Sequence, residues 1–142
     1  LEKSFGIWSA EFTQGYTAGQ TGMDRWIDWD KGDFVGRDAA IKERDGNGPA
    51  QVVVTLKVDA ADADASGYEP VWSGGERVGF VTSGGYGHTL GQSFAMAMVN
   101  REVAAEGSTL SVHIVGVERP ATVIAASPYD AKGNAMRGRP VT

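Results

Sequence analysis

Val81-Thr82-Ser83-Gly84-Gly85-Tyr86-Gly87-His88-Thr89-Leu90-Gly91, followed at once by Ser93-Phe94-Ala95-Met96-Ala97-Met98-Val99, decides the fold class of this chain. Four glycines in a polar connector let the backbone take positive φ and approach other groups closely. The segment after them alternates large and small apolar side chains, as a strand of a small closed barrel would. Plain turn chemistry also explains a glycine-rich connector feeding a strand, and the residues alone leave that reading standing.

Outward from this run the period of two continues. In Gln51–Val58 the apolar Val52, Val54, Leu56 and Val58 alternate with Gln51, Val53, Thr55 and Lys57. Pro70–Ser73 and Glu76–Thr82 read as a hairpin around Gly74-Gly75, a pair suited to a two-residue primed turn. Ser93–Val99, Thr109–Val115 and Pro120–Ala126 follow as strands, with a helical or turn excursion through Asn100–Gly107. Short strands at this spacing predict a mainly β body, a sandwich or barrel. The acidic, alanine-rich Asp59–Tyr68 reads as a surface loop, and the basic, glycine-rich 131–142 as a frayed tail.

Before Gln51 the pattern differs. Asp33–Asp45 predicts a helix, with Asp33 as N-cap, Phe34 and Ile41 on one face, and Gly46-Asn47-Gly48-Pro49 as its stop. Residues 1–30 hold Trp8, Trp26 and Trp29 with little regular period. An aromatic side chain buries roughly 150–250 Å², too much apolar surface for a free tail. Either this arm packs on the rest of the chain or it completes a domain lying elsewhere. The opening Leu1-Glu2-Lys3, without initiator Met or signal pattern, favours the second and suggests a piece of a larger polypeptide.

The 142 residues are one domain's worth, with ordinary globular composition at 42% hydrophobic and 22% charged. A net charge of −5 argues against nucleic acid and anionic membrane as partners. No apolar stretch approaches the ~20 residues that span a bilayer. Cysteine is absent, so disulfides and thiolate metal sites are excluded, and a cytoplasmic or organelle-matrix setting is the default. Only His88 and His113 occur, without clustered carboxylates, so no metal site is expected; His113, opposite Val112 and Ile114, is expected to be exposed. Ser83 lacks the strand–elbow–helix context of a hydrolase nucleophile, and Gly84, Gly85 and Gly87 enter a strand rather than a helix, so no dinucleotide site forms. Glu2 is either a surface charge or a buried acceptor for a paired N–H edge, and Trp8 either a core residue or a stacking surface.

Four blocks in register carry a resemblance. They are Leu1-Glu2-Lys3, Lys31-Gly32-Asp33-Phe34-Val35-Gly36-Arg37, Gly79-Phe80-Val81-Thr82-Ser83-Gly84, and Thr89-Leu90-Gly91-x-Ser93-x-Ala95-Met96-Ala97, closed by Ser127-Pro128-Tyr129-Asp130. Together they resemble the C-terminal part of the glycine-cleavage T-protein (aminomethyltransferase) family. Gly22-Met23-Asp24-Arg25-Trp26 ahead of the second block looks most like the folate-binding region of dimethylglycine and sarcosine dehydrogenases.

The resemblance implies that residues 1–50 are the α+β end of a larger folate-binding domain. Residues 51–130 would be a six-stranded Greek-key barrel, and 131–142 a tail. It implies tetrahydrofolate as cofactor, and transfer of a one-carbon unit from a small methylated amine to N5 of the pterin. The dehydrogenase branch would add an FAD-dependent half upstream. Glu2 matches the pterin-contacting glutamate, Trp8 a position that could flank the ring, and Lys31 a basic residue that could pair with a folate carboxylate. The family's acid/base aspartate lies upstream of the Leu-Glu motif, so no catalytic residue falls in this chain and the isolated chain is expected to be inactive. The implied partners are folate, the amine and the upstream domain of the same polypeptide, in the bacterial cytoplasm or the mitochondrial matrix.

Three departures accompany the match. Gln20 stands where relatives carry a carboxylate, so a second acidic contact to folate is not carried over; His88 stands where proline is usual; and the folate-contacting tail tyrosine of some members has no clear counterpart, Tyr129 being nearest. They favour the demethylating-dehydrogenase branch over the strict glycine-cleavage enzyme. Two other functions compete: a non-catalytic barrel serving as lid or interaction module, with the Asp59–Asp64 loop and aromatics as contact surface, and a folate-dependent iron–sulfur maturation factor. The last is disfavoured because its relatives carry a cysteine motif.

Overall fold

The computed structural model describes residues 1–141. Six antiparallel strands, β1 (Gln51–Val58), β2 (Pro70–Ser73), β3 (Glu76–Gly87), β4 (Gln92–Asn100), β5 (Thr109–Ile114) and β6 (Val117–Ile124), close into a barrel in the order β1-β4-β3-β2-β5-β6. The meander β2-β3-β4 with β1 returning beside β4 is a Greek key. Closure leaves no free sheet edge.

The period of two fills the barrel as expected. Val54, Leu56 and Val58 from β1, Ala95, Ala97 and Val99 from β4, and Leu110, Val112 and Ile114 from β5 form one interior cluster. Small alanines on β4 leave room for the branched residues facing them. The β2–β3 turn has Gly74 and Gly75 at φ 57° and 86°, as a primed two-residue turn requires.

Three local expectations are corrected. The glycine run is mostly strand: β3 continues through Gly87, and only His88–Gly91 turns. A Cβ on Gly84 would stand 2.1 Å from the Ala65 carbonyl oxygen, and one on Gly87 2.6 Å from the Phe94 ring and 2.8 Å from Glu2 Cγ. These glycines serve close approach rather than reversal of the chain. The helix α1 spans Arg37–Asp45, so Asp33 is not its N-cap and Phe34 lies before it; Gly36, at φ 86°, takes the cap position. His113 is half-buried and stacks on Trp72 with ring centroids 5.2 Å apart.

The first fifty residues wrap the barrel as an arm of turns, a short 3-10 segment (Asp24–Trp26) and α1. Backbone bonds fasten it, with Val53 N–H donating to the Gln20 carbonyl at 2.8 Å and Tyr129 N–H to the Glu2 carbonyl at 2.9 Å. The arm explains why β4 is buried on both faces. Met96, pointing out of the barrel, shares a cavity of about 270 Å³ with Phe12 and Met23 of the arm. The excursion after β4 is a 3-10 turn at Arg101–Val103.

Candidate functional site

Glu2 lies where the start of the arm meets the β3–β4 turn. Its Oε1 accepts the Leu90 N–H at 2.8 Å, across 88 positions of sequence. Burial pushes this carboxyl up, but hydrogen bonds from the Leu90 N–H and from the Thr89 side chain and backbone outweigh it, and the pKa falls below its ordinary value of 4.5. Glu2 is therefore an anion at neutral pH. A carboxylate offers about four lone-pair positions, so the bond from Leu90 leaves acceptor capacity for further donors.

The backbone around Glu2 is laced to the segment after β6. Ser127 Oγ donates to the Lys3 carbonyl at 2.6 Å, Ser127 N–H to Ser4 Oγ at 2.8 Å, and Ser4 Oγ lies 2.7 Å from Thr55 Oγ1 of β1. Lys3 Nζ donates to the Asp130 carbonyl and stands 3.8 Å from its carboxylate. Burial raises the Asp130 carboxyl, but the N–H groups of Asn134 and Ala135, with Lys3 and Arg137 nearby, hold it below the usual range. Ser4, Ser127 and Asp130 have φ of 50°, 57° and 48°, so three left-handed non-glycine residues gather at this junction. Such conformations persist only where surrounding bonds over-determine them.

The other expected residues stand apart from Glu2. Trp8 is 85% exposed and lines a cavity of about 720 Å³ in the arm with Phe12, Tyr16 and Met23. Lys31 is exposed, with its ammonium 4.5 Å from the centroid of the Phe34 ring. Of the three, Trp8 alone lines a cavity among the five described, and Glu2 and Lys31 line none of them. Trp26, 74% exposed, and Phe5, 64% exposed, also turn aromatic surface outward from the arm.

A second cavity of about 410 Å³ lies between the arm, α1 and β1, lined by Ile27, Trp29 and Val52 among others. Its polar groups satisfy one another: Thr17 Oγ1 donates to the Glu43 carboxylate at 2.9–3.0 Å, and the Arg44 guanidinium sits 4.3 Å from the Trp29 ring centroid. The departures noted in sequence are settled locally. Gln20 Oε1 accepts the Thr17 N–H at 2.9 Å, and His88 packs edge-on against Tyr86 with centroids 5.1 Å apart.

The residue that sequence reasoning missed is Glu11. It is fully buried, with Oε2 accepting the Ile7 N–H at 2.8 Å and Oε1 the Ser83 hydroxyl at 2.6 Å. It anchors the arm to β3, and it gives Ser83 a structural partner. The local signal was slight: Gly6 packs against it, since a Cβ there would stand 2.8 Å from Glu11 Cβ. Among the described residues no three His, Cys, Asp or Glu side chains converge as a metal site. No helix of the described residues is long and apolar enough to cross a membrane.

Residues 51–130 match the family of glycine cleavage T-protein C-terminal barrel domains. The chain is 34% identical to mitochondrial dimethylglycine dehydrogenase of Rattus norvegicus over 87% of its own length and 14% of that protein's. It is 37% identical to the aminomethyltransferase of Streptomyces coelicolor over 91% of its length and 36% of that protein's. The glycine cleavage system aminomethyltransferase T of Bartonella henselae superposes with a TM-score of 0.81 at 22% identity, covering 89% of this chain and 36% of the other, which establishes the shared fold. The chain thus spans between about a seventh and about a third of the length of these relatives.

Proposed function

The chain belongs to the glycine cleavage T-protein C-terminal barrel family, and from that premise we propose that it is the distal, folate-side part of a one-carbon-transferring enzyme. In this reading the parent is an aminomethyltransferase or a demethylating dimethylglycine- or sarcosine-type dehydrogenase, working in a bacterial cytoplasm or a mitochondrial matrix. Residues 1–50 complete a folate-binding domain supplied mostly upstream, 51–130 form the barrel, and 131–142 the tail. In the dehydrogenase case an upstream half carries FAD.

The observation that carries the proposal is the ionised Glu2 carboxylate held at the β3–β4 turn. A negatively charged acceptor suits a pterin, whose 2-amino and ring N–H groups donate to a carboxylate. Tyr129, nearest in sequence to a folate-contacting tail tyrosine, is tied through its N–H to the Glu2 carbonyl, which puts the two segments side by side. Trp8 offers an exposed indole face for stacking, and Lys31 an exposed cation for a folate carboxylate. Bound tetrahydrofolate would supply the N5 nucleophile that takes the one-carbon unit. Glu2 would fix the ring's orientation, and the exposed aromatics of the arm would be covered by the upstream domain, closing the pocket against water. The acid/base group is expected upstream, so the chain by itself is expected to be inactive, and restoring the upstream half is expected to confer folate binding.

The test is equilibrium titration of tetrahydrofolate against the full-length polypeptide. Glu2→Ala is expected to weaken binding at least about tenfold, as loss of a charged hydrogen-bond partner does; unchanged affinity would reject Glu2 as a ligand. A second reading, a non-catalytic lid or interaction module, draws on the outward aromatics Phe5, Trp8 and Trp26. Saturable micromolar binding of tetrahydrofolate to this chain alone would count against it.

A further inference from the structure

We infer that the β3–β4 turn is a positioning element for the ligand-binding carboxylate: the Leu90 N–H aims Glu2 at the ligand, and the turn is itself held in place by that bond. The inference rests on the reading of Glu2 given above. Three observations on different residues carry it. The Leu90 N–H donates to Glu2 Oε1 at 2.8 Å. Position 87 must lack a side chain, because a Cβ there would stand 2.8 Å from Glu2 Cγ and 2.6 Å from the Phe94 ring. The Glu2 main chain is pinned from the other side by Tyr129 N–H at 2.9 Å.

Glu2 is thus gripped at its backbone by the segment after β6 and at its carboxylate by the turn. Neither grip lies on the arm itself. Oε1 takes the turn's N–H, and the lone pairs left over define the direction from which a second donor pair can approach. By linkage, anything that binds the ordered carboxylate also orders the turn, and loosening the turn weakens that binding by the same factor. Leu90 is exposed and Tyr86 and His88 close the turn by edge-on packing, so substitution at position 90 leaves the barrel interior untouched. Leu90 is the positioning residue, acting on Glu2 through its main-chain N–H.

Two readouts on the full-length polypeptide test it. Leu90→Pro, which deletes that N–H, is expected to weaken tetrahydrofolate binding by about three- to tenfold, the usual range for one hydrogen bond, while Leu90→Ala, which keeps it, binds as wild type. Hydrogen exchange of the peptide covering residues 86–92, read without folate, is expected to accelerate in Glu2→Ala. In Glu2→Gln it should stay near wild type, because an amide oxygen still accepts the Leu90 N–H, while folate affinity falls with the lost charge. Unchanged exchange in Glu2→Ala, or Leu90→Pro with wild-type affinity, would overturn the positioning role. Wild-type folate affinity in Glu2→Ala, with the turn's exchange accelerated, would instead overturn the ligand assignment beneath it.

Discussion

Along β4 and along the first thirty residues the same kinds of side chain meet opposite fates. Phe94, Met96 and Met98 point out of the barrel and are buried all the same, while Phe5, Ile7, Trp8 and Trp26 on the arm face solvent. The barrel completes itself, with branched residues from its strands filling one interior. The arm is fastened by backbone bonds to its Gln20 and Glu2 carbonyls, by Glu11 on Ser83 and by the Ser4–Ser127 lacing, rather than by a core of its own. The first region stores its stability in apolar burial. The second keeps its apolar surface exposed, as the proposed face for an upstream domain requires.

Substitution separates the two most sharply. Leu56→Ala, in a fully buried interior position, is expected to cost about 2–5 kcal/mol. Trp8→Ala, at a site 85% exposed, should stay within about 0.5 kcal/mol although it removes more atoms. Paired denaturant titrations measure both, and equal losses would erase the distinction between barrel and arm. Glu11→Ala comes next. It strands the Ile7 N–H and the Ser83 hydroxyl and is expected to cost about 1–3 kcal/mol. Limited proteolysis should then cut within the arm well before the barrel, and simultaneous loss of both would contradict a separately fastened arm.

The smallest effect concerns pH. Glu2 and Asp130 both have folded-state pKa values below their ordinary 4.5 and 3.8, so at acid pH the unfolded chain binds more protons than the folded one. The stability they contribute is present above those ordinary values and is lost as pH falls through the lower folded ones. Thermal unfolding followed downward from about pH 5 should show a decline that is shallower in Asp130→Asn. An identical slope in that variant would remove Asp130 from the account.

Much of the barrel was legible because its cause is local. The alternation in Gln51–Val58 and the Gly74-Gly75 turn state their own geometry. β3 was read too short for an instructive reason: a glycine that admits a neighbour is spelled like a glycine that reverses the chain. Gly84 and Gly87 are of the first kind, and only the positions of Ala65, Phe94 and Glu2 reveal it. The helix start failed similarly, since Gly36 reaches the cap position through its left-handed φ rather than through a capping side chain. At the site, the block pattern singled out Glu2, but its partner Leu90 is 88 positions away and no local period encodes that contact. Glu11 had no signal beyond a small neighbour at Gly6.

The account stands on the arm being one half of a shared face. Hydroxyl-radical footprinting of Trp8 and Trp26, comparing this chain alone with the full-length polypeptide, measures that directly. Labelling of both tryptophans should drop several-fold when the upstream part is present, while Trp72, stacked on His113 on the barrel, changes little. Trp8 and Trp26 labelled as heavily in the full-length polypeptide as in the chain alone would contradict it.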